Sequence, residues 1–269
     1  MLAARQFMGE NSVVRGAAWI LLLVSWGATG QDGGVPPLTI DQVIQRMSEM
    51  DRSRVAELQS YTVTRRYSLE NRRFNKRVEM TVRMSYTAPG KKEFEVLSEK
   101  GSGAIRKRVF HKMIEAEMEA AQEEMRGQAQ ITPENYEFRL VGTEARVGRG
   151  SYLIEVKPRI NNKFLLKGRI WVDAQDFAIV RIEGSPAQNP SFWTRKVSFV
   201  HRYAKFAPFW LAVSNRSEAE VLIFGSTEVL IEYFDYQIHR GPAAGISRSN
   251  RFSWQVAPAP PCCGDGVFP

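Results

Sequence analysis

Cysteine is nearly absent from this chain. Two occur in 269 residues, Cys262 and Cys263, side by side in a proline-rich tail. Neither can staple a core, so the fold must hold itself by burial. Two thiols alone also fall short of the four ligands of a structural zinc site. Histidine is scarce too: His111, His201 and His239. His111 lies one helical turn from Glu115, with Glu119 following, on the polar side of a helix; a solvated charged face is the better reading of that set. His201 and His239 have no Ser, Asp or Cys grouping near them in sequence. Nucleophile elbows and glycine-rich phosphate loops are missing, and Gly101-Ser102-Gly103 is too short to be one. No catalytic residue, metal site or cofactor is expected, and the chain reads as a non-enzyme.

No apolar run reaches the ~20 residues of a membrane span. The longest, Ala17–Val24, sits behind Arg5 and Arg15 and ahead of Ala28-Thr29-Gly30. That is a secretory leader, cleaved near Gly30. The cleavage region has no cysteine for lipidation, so a free periplasmic protein is expected. Removing Arg5, Arg15 and Glu10 leaves 35 basic against 28 acidic side chains, net +7. The bases are scattered along strands and form no helical stripe. A nucleic-acid partner is not expected; an anionic lipid surface or an acidic partner fits better.

What the sequence has is strands. Residues 31–38 are a Gly/Pro linker. Thr39 and Gln42 form a capping box, and Ile40, Val43, Ile44 and Met47 share one face of a helix over 39–58. From Ser60 the period changes to two. Tyr61, Val63, Arg65 and Tyr67 alternate with polar residues, and Val78, Met80, Val82, Met84 and Tyr86 do so without exception. Phe94 and Val96 continue in a third strand. Residues 104–125 read as a second helix, with Ser102 as its cap. Its apolar side carries Ile105, Val109, Phe110, Met113, Ile114 and Met118, extended by Ala121 and Met125. Bases at its start and acids towards its end oppose the helix dipole, so docking must hold it. Strands then resume at 136–141, 152–157, 164–173, 177–183, 192–203, 209–216, 220–224 and 227–238, eleven in all. The sharpest local signal is Gly168–Pro190, where Arg169–Asp173 and Phe177–Glu183 flank Ala174-Gln175-Asp176 as a hairpin. Strands at hairpin spacing form an antiparallel meander. Residues 241–269 read as a flexible Pro/Gly-rich tail.

The order of leader, helix, three strands, long helix and strand meander, with Trp171-Val172-Asp173 and Val180-Arg181-Ile182-Glu183-Gly184 in its hairpin, resembles the outer-membrane lipoprotein-sorting protein family, the LolA-like lipoprotein carriers. The resemblance covers roughly residues 39–238 of a domain placed at 39–240. It implies a mainly β (α+β) fold: a strongly curved antiparallel sheet forming a half-open barrel, with helices over its concave face. It also implies a periplasmic carrier of lipid acyl chains or a lipoprotein, served by membrane-associated donor and acceptor proteins and working as a monomer.

On that reading the cavity is lined from the lid by Val109, Phe110, Met113, Ile114 and Met118. From the sheet it is lined by Val78, Met80, Val82, Met84, Tyr86, Phe94, Val96, Ile170, Val172, Val180 and Ile182. Methionine adapts to variable apolar shapes, and Gly101, Gly103 and Gly127 flank the lid. Arg65, Arg66, Arg72, Arg73, Lys76, Arg77, Arg106, Lys107 and Arg108 suit a lipid head group, or solvated strand edges that resist edge-to-edge pairing. A second reading keeps the scaffold as a non-enzymatic interaction or sensor domain of the envelope. A hydrolase would need His201 or His239 to meet a Ser or Asp in space.

Overall fold

The computed structural model describes residues 37–122, 125, 127–146, 149–188, 194–221 and 225–241. The leader, most of the linker, the segment Phe192-Trp193 and the tail with its cysteines lie outside them.

Helix α1 (Ile40–Glu57) starts on the expected capping box. The Gln42 amide N–H donates to Thr39 Oγ1 at 3.3 Å, and Thr39 N–H donates to Gln42 Oε1 at 2.9 Å. Its apolar stripe, Val43, Ile44 and Met47, is buried. Three strands follow: β1 (Leu58–Asn71), β2 (Lys76–Thr87) and β3 (Lys91–Lys100). A helical crossing comes next, made of α2 (Gly103–Arg106), a π turn (Lys107–His111) and α3 (Lys112–Ala121). Seven strands complete the fold: β4 (Tyr136–Arg146), β5 (Arg149–Pro158), β6 (Leu166–Asp173), β7 (Ile179–Pro186), β8 (Thr194–Phe206), β9 (Phe209–Val221) and β10 (Gly225–Arg240).

All ten strands form one antiparallel sheet in the order β3-β2-β1-β10-β9-β8-β7-β6-β5-β4. Every neighbour pair is consecutive in sequence except β1 with β10. That one long-range pairing carries the meander back onto its own start. The sheet is not closed: β3 and β4 are its free edges, and the helical crossing is the segment that joins them. Register shifts punctuate the ladders, and Asp235, at φ 58°, sits in the one opposite Thr62 and Thr64 of β1. Such bulges add the bend that a half-open barrel needs.

Side chains of one face can be followed through the pairings. Tyr67 stands between Met80 and Ile231, and Ile231 meets Asn215; Asn215 meets His201, His201 meets Ile182, Ile182 meets Ile170 and Ile170 meets Ile154. All eight of these linked residues, Met80 to Ile154, are buried. This is the concave face, and both helices lie on it.

Several expectations change in detail. The break expected between strands at 209–216 and 220–224 does not occur: β9 runs unbroken through the buried Ser217 to Val221, and residues 222–224 lie outside the described residues. Ser102 makes no side-chain capping bond; the Arg106 guanidinium instead reaches Gly101 O at 2.5 Å and Glu99 at 3.0 Å. The second helix ends at Ala121, and Met125 packs in a small separate cluster with Ala120, Ala129 and Phe164. Among the described residues no helix is long and apolar enough to cross a membrane.

Candidate binding site between the sheet and the crossing helix

The lining expected from sequence divides into parts. Val109, Phe110, Met113 and Ile114 do face the sheet, where they pack with Tyr67, Leu69, Val78, Met80, Val82, Val229 and Ile231, and Phe94 lies against them. The Tyr67 and Phe110 rings meet at 5.6 Å. Met84 and Tyr86 belong to an adjoining group with Val63, flanked by Tyr61, Tyr233 and Tyr236. Ile170, Val172 and Ile182 lie under α1 with Val43, Ile44 and Met47, away from the lid.

Three residues depart from the expected lining. Met118 is 46% exposed and Val96 is 45% exposed, so neither lines an enclosed space. Val180 is only half-buried. A register shift pairs Val172 with Ile179, and Ile179 takes the buried place instead.

Polar groups occupy the middle of the concave face. Arg65, 4% exposed, donates to both Glu117 oxygens, at 2.7 and 3.1 Å. Lys92 Nζ donates to Glu117 Oε1 at 2.7 Å. The Arg65 guanidinium stands over the Tyr233 ring at 4.9 Å and the Phe94 ring at 5.4 Å, a cation–π placement on both. Burial alone would raise the Glu117 carboxyl, but Arg65 and Lys92 outweigh it and hold it well below the usual carboxylate range. Burial opposes the Arg65 charge too, and Glu117 outweighs it. The pair is therefore ionised.

His201 and Asn215 face each other across β8 and β9 on this same face, 5% and 2% exposed. Burial pushes the His201 imidazole down to about 4, so it is neutral at pH 7. It meets the Phe199 ring edge-on at 5.0 Å. Among the described residues His201 has no hydrogen bond to a Ser or Asp; its neighbour in register is Asn215.

Beside the ion pair lies a tyrosine-lined recess. Tyr61 stacks on Tyr86 at 5.1 Å and tilts against Tyr236 at 5.8 Å, and Tyr236 meets Phe206 at 4.9 Å. Tyr61, Tyr203, Tyr233 and Tyr236 all keep accessible surface. Yet burial pushes every one of these phenols up. These half-buried tyrosines form an aromatic stretch beside the ion pair that stays partly open to solvent.

The hairpin that stands out in sequence has a structural task. Asp173 accepts from the Gln175 and Asp176 amides at 3.0 and 2.7 Å and from Arg149 at 2.8 and 2.7 Å. Asp176 takes Arg149, Lys205 and Trp210 Nε1 at 2.7 to 2.9 Å. Arg54 of α1 donates to Asp176 O at 2.8 Å, which ties the helix to the turn.

Sequence reasoning misplaced Arg65 and missed Glu117. Arg65 falls in phase with Val63 and Tyr67, so period two puts it inside; grouping it with its basic neighbours hid that. Glu117 lies four residues after Met113 and three after Ile114, in phase with the buried stripe. Among the described residues no three His, Cys, Asp or Glu gather as a metal site.

Comparison with solved structures finds similar folds. One is a LolA superfamily protein from Nitrosomonas europaea, at 11% identity and TM-score 0.41, covering 77% of this chain and 96% of that one. A second is a DUF1329 family protein from Desulfovibrio piger, at 13% identity and TM-score 0.44, covering 77% and 95%. A third is a putative outer membrane lipoprotein-sorting protein domain from Vibrio parahaemolyticus, at 12% identity and TM-score 0.41, covering 77% and 93%. Likeness at this level concerns the path of the chain and not its chemistry. The curated proteins hold no match. A family model matches residues 64–235, which run from the middle of β1 to the bulge in β10 and take in the whole meander. The chain thus belongs to the family of unknown function DUF5686.

Proposed function

We propose that this protein is an exported, non-enzymatic carrier that takes the acyl part of a lipid or lipoprotein between its curved sheet and its crossing helix. The observation that carries the reading is the group of half-buried tyrosines, Tyr61, Tyr233 and Tyr236, packed on Val63, Met84 and Tyr86 and left partly accessible beside a methionine-bearing helix. Each buried CH₂ gains ~0.8 kcal/mol, so one acyl chain offers on the order of 10 kcal/mol before entropic costs. Such a carrier needs no reacting group. It needs a cleft and a cover that can shift, and the cover here crosses an open seam of the sheet. The leader suits work in the periplasm, handing cargo between membrane-bound partners. The test is native mass spectrometry of the mature protein purified from its own host, with solvent extraction alongside. A mass excess released as lipid is the expected result. A protein that carries no lipid and takes up no acyl probe would overturn the reading.

One observation favours a second reading. Phe110, Met113 and Ile114 already fill the space against Tyr67, Met80 and Ile231. A self-filled interior suits an interaction or sensor domain that holds a protein partner on its surface. Under that reading acyl probes fail to enter while a partner co-purifies.

A further inference from the structure

We propose that the interior site selects an amphiphile with a carboxylate head, such as a long-chain fatty acid, over neutral lipids. This rests on the carrier reading and narrows its cargo. Three ionised side chains are drawn inside: Arg65, Lys92 and Glu117, with side chains at most 13% exposed. Two cations face one anion, leaving one uncompensated positive charge. Glu117 is the one acid that acts on Arg65 among the described residues. A net charge held away from water is costly unless a counter-charge meets it. A monocarboxylate has the charge that is missing.

Hydrogen bonding points the same way. Arg65 Nε–H is buried without a partner. His201 is deeply buried, and neither of its ring nitrogens bonds to a described group. Asn215 makes one bond, accepting from Ser217 at 3.3 Å, which leaves its amide N–H groups free. The Tyr61 and Tyr233 hydroxyls stand in the recess without a protein partner among the described residues. Of these, the Arg65 Nε–H is the one sealed from solvent, and a sealed donor without a partner is rare in native folds; the others keep some accessible surface, where a guest would meet them. Every one of them is or carries a donor, and a carboxylate is an acceptor at up to four positions.

Tyr61 on β1, Tyr233 on β10, Asn215 on β9 and His201 on β8 lie on four successive strands of the sheet. Arg65, bonded to Glu117, stands over the Tyr233 ring at 4.9 Å, which sets the ion pair against the tyrosines. Lys92 stands opposite Tyr86, and Tyr86 opposite Tyr61, so the spare cation borders the recess. The hydrocarbon then follows the aromatic wall. An ester- or amide-linked acyl chain brings neutral acceptors and leaves the charge unbalanced.

The experiment measures displacement of cis-parinaric acid from the delipidated full chain by palmitic acid, by hexadecanol and by methyl palmitate. The acid is expected to bind at least about tenfold tighter than the alcohol. Lys92→Gln removes the surplus charge while Arg65 stays paired with Glu117, and it should bring the acid-to-alcohol ratio to within about threefold of unity. Glu117→Gln, checked for folding by thermal melting, should shift the ratio the other way. Equal affinity for acid and alcohol, or a ratio that Lys92→Gln leaves unchanged, overturns the head-group assignment and leaves the carrier reading standing. Failure of every amphiphile to displace the probe, or of the probe to bind, overturns both.

Discussion

Asp51 sits on the buried side of α1, one turn before Arg54, with its Oδ2 lacking any partner. Burial pushes its carboxyl up to about 7, and Arg54 only partly offsets this. Proton linkage sets the sign. A carboxyl raised in the folded state binds a proton there that the unfolded chain has already lost. Stability from Asp51 is full below its ordinary value of 3.8 and is lost as pH rises towards about 7. Each tenfold change in proton affinity between the two states is worth about 1.4 kcal/mol. Asp51→Asn should therefore be more stable than the parent by on the order of 2–4 kcal/mol above pH 7, with the difference closing near pH 4. Urea midpoints measured across that range check it; a variant less stable at pH 8 would refute it. Little of this was legible beforehand. Asp51 reads as an ordinary helix acid until α1 docks. Arg65, Glu117 and His201 were legible by phase alone, since each falls on the buried stripe of its own element. Charge made them look like surface.

The hairpin β6–β7 was the most legible element, because alternation, a short polar turn and β-branched residues all agree there. Its backbone crowding was not. Gly168 and Gly184 stand opposite each other. A Cβ on Gly184 would lie 2.4 Å from Lys167 O and 3.2 Å from Gly168 Cα. Those atoms are backbone and cannot swing aside, so the ladder must part. Gly184→Ala should cost about 1–3 kcal/mol, a drop of roughly 3–10 °C in Tm for a chain of this size. Gly142→Ala in β4, with nothing within 4 Å of its new Cβ, is the control and should stay within about 0.5 kcal/mol of the parent. Equal melting of the two variants would rule the crowding out. The crossing helix was legible as a helix and in most of its buried face, but not in its length. Within α3 the buried stripe runs through Met113, Ile114, Ala120 and Ala121, so Glu117 faces in while Met118, 46% exposed, faces out. Met118 is four residues after Ile114, on the margin of that stripe, and its hydrophobicity drew it into the expected lining.

At the scale of the whole molecule, hairpin succession read from local patterns supplies every strand neighbour but one. The exception, β1 with β10, joins residues as far apart as Leu58 and Arg240, and no pattern announces it. The resemblance implies a curved sheet but names no partner for its first strand. That pairing decides how the molecule opens. β1 is bonded along its length on both sides, to β2 and β10. β3 is bonded on one side, and its burial is slight. The crossing helix is tied down mainly by the buried Val109, Phe110, Met113 and Ile114 and by the Arg65–Glu117 bond. Hydrogen exchange should therefore resolve three levels. Amides of β1 and β10 should exchange only on global unfolding. The outer amides of β3 should exchange orders of magnitude faster. Amides of α3 should fall between, opening at lower free energy than β1 because few contacts beyond that stripe must break. If α3 and β1 instead show the same opening free energy, the helix is part of one cooperative core and not a cover that shifts. A cargo would then have to enter through the tyrosine side of the seam with the helix in place.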